Sequence, residues 1–171
     1  MQSLLETQIN TLTLREHCTT PKILIKQINN LEKTLKKNCW MNFSKLGNLY
    51  RLNNQLLLSQ QSFKRANKLI TQDQNLIINN LRWLLTESYL NNWANGLVII
   101  LKTARLIDSD KIHKKYLHFL RQHQAKFHFE RKEFEQSLSY FKKAHHLRKV
   151  LSEELQYSSY IGIQRCQEFI T

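Results

Sequence analysis

Glycine and proline are scarce in this chain, with three Gly (Gly47, Gly96, Gly162) and one Pro (Pro21) in 171 residues. Few turns can then demand backbone angles that glycine alone adopts cheaply, and little interrupts a helix, so an all-α fold is favoured. The glycines are isolated, which excludes a Gly-x-Gly-x2-Gly or Walker loop for cradling phosphates. Long apolar runs are also missing. The longest, residues 96–101, is far too short to span a bilayer and continues into residues 102–106 without a turn signal. It reads as a buried helix, and no membrane insertion is expected. Cysteine is limited to Cys18, Cys39 and Cys166, with no Cys-x2-Cys pair. Reduced thiols are the plain reading, and the first residues lack a basic stretch leading into a long apolar core. A cytoplasmic location is therefore expected. Acids are few as well: 13 Asp and Glu stand against 26 Lys and Arg, a net charge of +13.

The cations are unevenly placed. Lys22, Lys26, Lys33, Lys36, Lys37, Lys45, Arg51, Lys64, Arg65 and Lys68 accompany a single acid, Glu32, and a second basic run covers residues 111–132. Such a surface attracts an acidic protein, a nucleic acid or an anionic membrane face, and equally serves as a solvated helical surface.

Helix signals follow one another along the chain. Leu4, Leu5, Ile9, Leu12 and Leu14 suggest a first helix. Thr20-Pro21 starts another, over residues 21–37, whose Leu24, Ile28, Leu31 and Leu35 form a seam for a packing partner. Helices over residues 40–52 and 54–71 turn at Asn53-Asn54. The next pair places Leu81, Leu84, Leu85 and Ser88 on its first helix, turns at Asn91-Asn92, and places Leu97, Leu101 and Ala104 on its second. After a loop at Asp108 to Asp110 comes a third pair, and then a last helix with Leu155, Ser158, Ser159 and Gly162 that ends near Ile170.

Catalytic and metal chemistry find no foothold. His113, His118, His123 and His128 recur every five residues, so successive rings diverge by about 140° around a helix and cannot share an ion. No His-Glu-x2-His and no zinc-type Cys/His pairing occurs, and nothing sets a nucleophile beside a base. Glu130, Glu133 and Glu135 alternate with Arg131 and Lys132 and suggest surface pairing. Neither an enzyme, a metal site nor a cofactor is expected. Trp40, Trp83 and Trp93 read as packing residues.

One motif organises the chain. Phe43, Leu46, Gly47 and Tyr50 are followed by Ser59, Phe63 and Ala66. Two short antiparallel helices approach closely only if small residues sit at their crossing, here Gly47 against Ser59 and Ala66. Phe43, Leu46 and Tyr50 fill the space around it. Ala125, Ser137, Phe141 and Ala144 repeat the arrangement, with Ala125 to Ser137 matching the spacing from Gly47 to Ser59. Such units bury their apolar faces only by stacking.

The pattern resembles the tetratricopeptide repeat superfamily, well over residues 40–73, moderately over 111–151 and weakly over 74–110. Residues 1–38 would add N-terminal helices and 152–171 a capping helix, making one domain of about seven or eight helices. The family's terminal Pro is missing. Steps from Ala66 to Ala104 to Ala144 are 38 and 40 residues rather than about 34. The resemblance implies a right-handed stack of helix pairs with a concave groove that binds a peptide or protein segment. Its groove-facing positions here are Met41, Ser44, Asn48 and Arg51, then Asn79, Arg82, Thr86 and Tyr89, then Phe119, Gln122, Lys126 and Phe129. Asn48 with Lys45 is similar to part of the family's carboxylate clamp. Trp83, Phe119 and His123 stand at the other clamp positions, so a full clamp is not expected. Arg51, Arg82 and Lys126 would pair with acids of the partner. A nucleic-acid-associated protein using Lys22, Lys26, Lys33, Lys36, Lys37, Lys64, Arg65 and Lys68 is the alternative. A sensor domain that self-associates as a homo-oligomer through the Leu24/Ile28/Leu31/Leu35 seam is a third reading.

Overall fold

Three times the chain closes a helix with the same hydrogen bonds. The computed structural model describes residues 6–35 and 38–170. In it α2 (Trp40–Leu52) leads into α3 (Leu56–Leu69), α4 (Asp73–Tyr89) into α5 (Trp93–Ser109), and α6 (Leu117–Glu130) into α7 (Phe134–Arg148). Each first helix is followed by a residue in the left-handed region: Asn54 (φ 56°), Asn91 (φ 56°) and Lys132 (φ 62°). The next amide then donates back to the helix, Gln55 to Tyr50 O at 2.8 Å, Asn92 to Glu87 O at 2.9 Å and Glu133 to His128 O at 3.0 Å. These Schellman closures satisfy the carbonyls that a helix end leaves open.

The closures also set the register of each pair. The Ser59 hydroxyl donates to Gly47 O at 2.7 Å, and the Ser137 hydroxyl to Ala125 O at 2.8 Å. Counted from Asn91, the matching crossing in the second pair joins Leu84 to Gly96, and a Cβ on Gly96 would lie 2.4 Å from the Phe127 ring. Gly96, Ile100 and Thr103 are buried, as Ser59, Phe63 and Ala66 are. Leu97 and Leu101, expected in the core, are 41 % and 58 % exposed. The expectation was one residue late, and one residue turns a helical side chain by about 100°.

Helices α2, α4, α6 and α8 (Glu153–Ile170) touch in succession, and α3, α5 and α7 each pack beside the first helix of their own pair. Phe63, Trp83, Leu84, Ile99, Ile100 and Phe127 form one buried cluster from the first pair to the third. A short 3-10 helix (Lys111–Tyr116) joins α5 to α6, and the Asp110 carboxylate caps it by accepting from the Ile112 amide at 2.9 Å. The described residues thus form an all-α fold of eight helices with a single small β-hairpin.

That hairpin replaces the expected first helix. Strands β1 (Thr7–Ile9) and β2 (Glu16–Cys18) pair antiparallel. Asn10 breaks the helix: its side-chain oxygen accepts from the amides of Leu12 (2.9 Å) and Thr13 (3.0 Å), an Asx turn that competes with helical bonds. Leu4 and Leu5 lie outside the described residues. The seam on α1 (Pro21–Lys33) is also not free for self-association. Leu24 and Ile28 are buried, and Leu31 and Leu35 partly so, against Leu46, Leu49 and Tyr50 of α2. The Tyr50 hydroxyl donates to Glu32, and burial, with this bond second, raises its pKa to about 12.

Candidate functional site

The hairpin lies against the helices that open each pair, and reaches α8 as well. Leu14, with φ 56°, is 3 % exposed in a cluster of Ala125, Phe129, Phe141 and Cys166. Asn10 O accepts from the Leu14 amide at 2.7 Å, and Arg15 O from the Asn10 amide at 2.8 Å, so the loop's own bonds hold that residue in its left-handed turn. Arg15 grips Glu130 of α6 through two bonds of 2.7 Å, Nε to Oε1 and Nη2 to Oε2. The same guanidinium sits 4.6 Å from the centre of the Tyr89 ring on α4. Glu16 accepts from Arg51 Nη2 of α2 at 2.8 Å and from Lys126 Nζ of α6 at 3.2 Å. On α8, Arg165 Nε donates to the Leu12 carbonyl at 3.2 Å.

Electrostatics make this a site for a carboxylate. Burial by itself would raise the Glu16 pKa, but the Lys126 and Arg51 cations outweigh it and hold the group well below the ordinary carboxylate range. Nearby His123 is held neutral, at about 4, first by burial and then by Lys126. Its Nδ1 is 2.7 Å from Phe119 O. Arg51 is 5 % exposed, and its Nη2 also donates to Asn48 Oδ1 at 2.9 Å. Arg51 Nε and Nη1, and the Tyr89 hydroxyl, meet no acceptor among the described residues. Arg82, exposed beside Arg51, has the Ser44 hydroxyl at 3.5 Å as its contact. Partial desolvation of its guanidinium, and then the Arg51 charge, lower its pKa.

No family model, curated protein or solved structure matches the chain. The geometry therefore carries the functional reading by itself.

Of the expected groove residues, Asn48, Arg51, Tyr89, Lys126 and Phe129 meet around the hairpin, with Arg82 at its edge. Asn79 does not face it. That side chain is fully buried and donates to Phe63 O and Asn67 Oδ1, both at 3.2 Å, so it ties α4 to α3. Thr86 is likewise spent on the Ser59 hydroxyl at 2.8 Å. Gln122 donates to Ser158 O of α8 and accepts from Arg148, while Met41 is 59 % exposed. Lys22, Lys26 and Lys33 are exposed on α1, and Lys64, Arg65 and Lys68 on α3. Lys36 and Lys37 lie outside the described residues.

Leu14, Arg15, Glu16 and Glu130 were not expected at the site. The surface pairing at the turn that the sequence suggests for Glu130 falls to Glu133, with Arg131 at 2.6 Å and His128 at 2.6 Å. One signal was available: Asn10, whose short amide side chain favours a turn, falls in the middle of the expected first helix. Among the described residues no three His, Cys, Asp or Glu side chains gather as a metal site. No helix among them is long and apolar enough to cross a membrane.

Proposed function

We propose that this chain is a non-enzymatic, tetratricopeptide-like binding module that takes up an extended acidic segment of a partner protein along α2, α4 and α6. The observation that carries the reading is the Glu16 carboxylate, presented on a strand and seated between Arg51 and Lys126. A side chain of the protein's own backbone there stands in for the acid of a ligand. The repeated Schellman turns and small-residue crossings support the family reading, and a basic inner face supports the acidic partner. Fold alone would not assign a partner, so the weight rests on these side chains. The reading places the domain in the cytoplasm, in keeping with its three free thiols.

Arg82 gives the direct test, because it is exposed and helps hold no part of the hairpin. A fluorescein-labelled octapeptide alternating glutamate and leucine is titrated into the wild-type protein, Glu16→Gln and Arg82→Glu, with a lysine-for-glutamate control. Saturable binding of the acidic peptide, weakened about tenfold or more by Arg82→Glu, is expected, a loss of roughly 1.4 kcal/mol. No binding to wild type or Glu16→Gln, or equal binding of both peptides, would sink the reading. Tight retention of duplex DNA or RNA with a steep salt dependence, and of no peptide, would instead favour the exposed lysines of α1 and α3 as a phosphate-contacting surface.

A further inference from the structure

We propose that the hairpin is a built-in occupant that the partner segment displaces, and that Leu14-Arg15-Glu16 spells what the groove reads: an apolar residue, a cation, then an acid. This deepens the peptide-binding reading above and rests on it. Each of the three residues has its own subsite. The apolar one is walled by Ala125, Phe129, Phe141 and Cys166 around Leu14. In the middle subsite a guanidinium is paired by Glu130 and covered by the Tyr89 ring, a combination of bidentate ion pair and cation–π contact that selects Arg over Lys. Arg51 and Lys126 supply the third, which takes the carboxylate.

The hairpin is held in a way that permits exchange. Among the described residues no backbone–backbone hydrogen bond joins it to a helix; its strands bond to each other, and its hold on the body is through side chains and the Leu12 carbonyl. A two-stranded hairpin of three residues a side has little stability of its own. Leu14 adds a left-handed backbone, which an L side chain adopts only at a cost. The hairpin also leaves the acid subsite unsaturated. Among the described residues Arg51 keeps two buried donors without an acceptor, the Tyr89 hydroxyl is unpartnered, and Arg82, beside Arg51, meets no acid. A partner segment with the same three residues and a further acid would meet those groups and so bind better than the hairpin does. Displacement requires that difference in affinity.

The probe is a labelled peptide copying residues 11–19 with Cys18→Ser, beside the same peptide carrying Glu16→Lys. Binding is measured on the wild-type chain and on Glu16→Gln, which keeps the shape of the side chain and removes the charge that seats it. The copy should bind Glu16→Gln about tenfold or more tightly than wild type, because the open fraction of the groove rises, and the Glu16→Lys peptide should bind neither. In the unaltered protein, excess copy peptide should speed hydrogen exchange of the Thr7–Cys18 amides while those of α2, α4 and α6 stay protected. Equal affinity for the two proteins overturns the exchange. So does a bound peptide that leaves the hairpin amides protected, or a Glu16→Gln chain whose hairpin amides exchange freely but which takes up no copy peptide. Binding of the glutamate–leucine peptide that depends on Arg82 would survive each of these results, so the two proposals fail separately.

Discussion

At the scale of single residues, buried polar groups carry more of this fold than its apolar positions suggest. Arg148 is 2 % exposed, and no carboxylate pairs with it among the described residues. Instead it donates to His118 Nδ1 (3.2 Å), Gln122 Oε1 (2.9 Å), Leu155 O (3.0 Å) and the Ser158 hydroxyl (2.9 Å), joining α6, α7 and α8. Burial brings its pKa down to about 10. Its neighbour His118 must then stay neutral to accept. Burial first, and Arg148 second, lower the His118 pKa from 6.5 to about 4, and burial with Lys126 does the same to His123. Unfolding lets both rings take protons near 6.5, so the stability they contribute is whole above that value. It is lost as the pH falls through the window between 6.5 and about 4. The melting temperature should therefore fall steadily across that window. His118→Gln, which still offers Arg148 an oxygen, should make the fall shallower; an unchanged slope on thermal melting would remove His118 from the account. Spacing along the chain sets successive rings on different faces, and His118, His123 and His128 meet Arg148, Phe119 O and Glu133 in turn. It could not reveal Arg148, because nothing in a sequence distinguishes a buried arginine from the many exposed ones.

Among the elements, the turns and crossings were partly readable. Asn53-Asn54 and Asn91-Asn92 were legible as turns because Asn tolerates the left-handed angle each closure needs. Lys132 occupies the same angle in the third pair with no such tolerance, and there the chain carries avoidable strain. Lys132→Gly should stabilise the protein by about 1 kcal/mol in urea unfolding, whereas no gain would mean that the Lys side chain compensates. Gly162→Ala should do the opposite. Its Cβ would stand 2.4 Å from the Phe141 ring between α7 and α8, and overpacking of this kind costs about 1–3 kcal/mol. The second pair was misread by one residue because Leu97 and Leu101 are larger and more apolar than Gly96 and Thr103. Apolar weight pointed to one face, and the need for small residues at the crossing decided for another.

For the whole molecule, charge and order of assembly matter. With 26 cations against 13 acids the chain carries a net charge of +13, so the folded chain repels itself. Raising sodium chloride from roughly 0.02 to 0.2 M should raise the melting temperature, since screening relieves that repulsion. A fall would show that ion pairs such as Arg15–Glu130 and Arg51–Glu16 outweigh it. Sequence by itself determined the helical class, the small-residue crossings of the first and third pairs, and the excess of cations. Those follow from local rules: few helix breakers, small residues at a fixed spacing, and charge that needs no partner to be counted. Tertiary structure alone decided that the hairpin lies against α2, α4 and α6, that Asn79 is a strut, and that the α1 seam is spent on α2. The hairpin's own turn is local, but its hold comes from Arg51, Tyr89, Lys126 and Glu130, dozens of residues away. No spacing along the chain records which of many cations will close on Glu16.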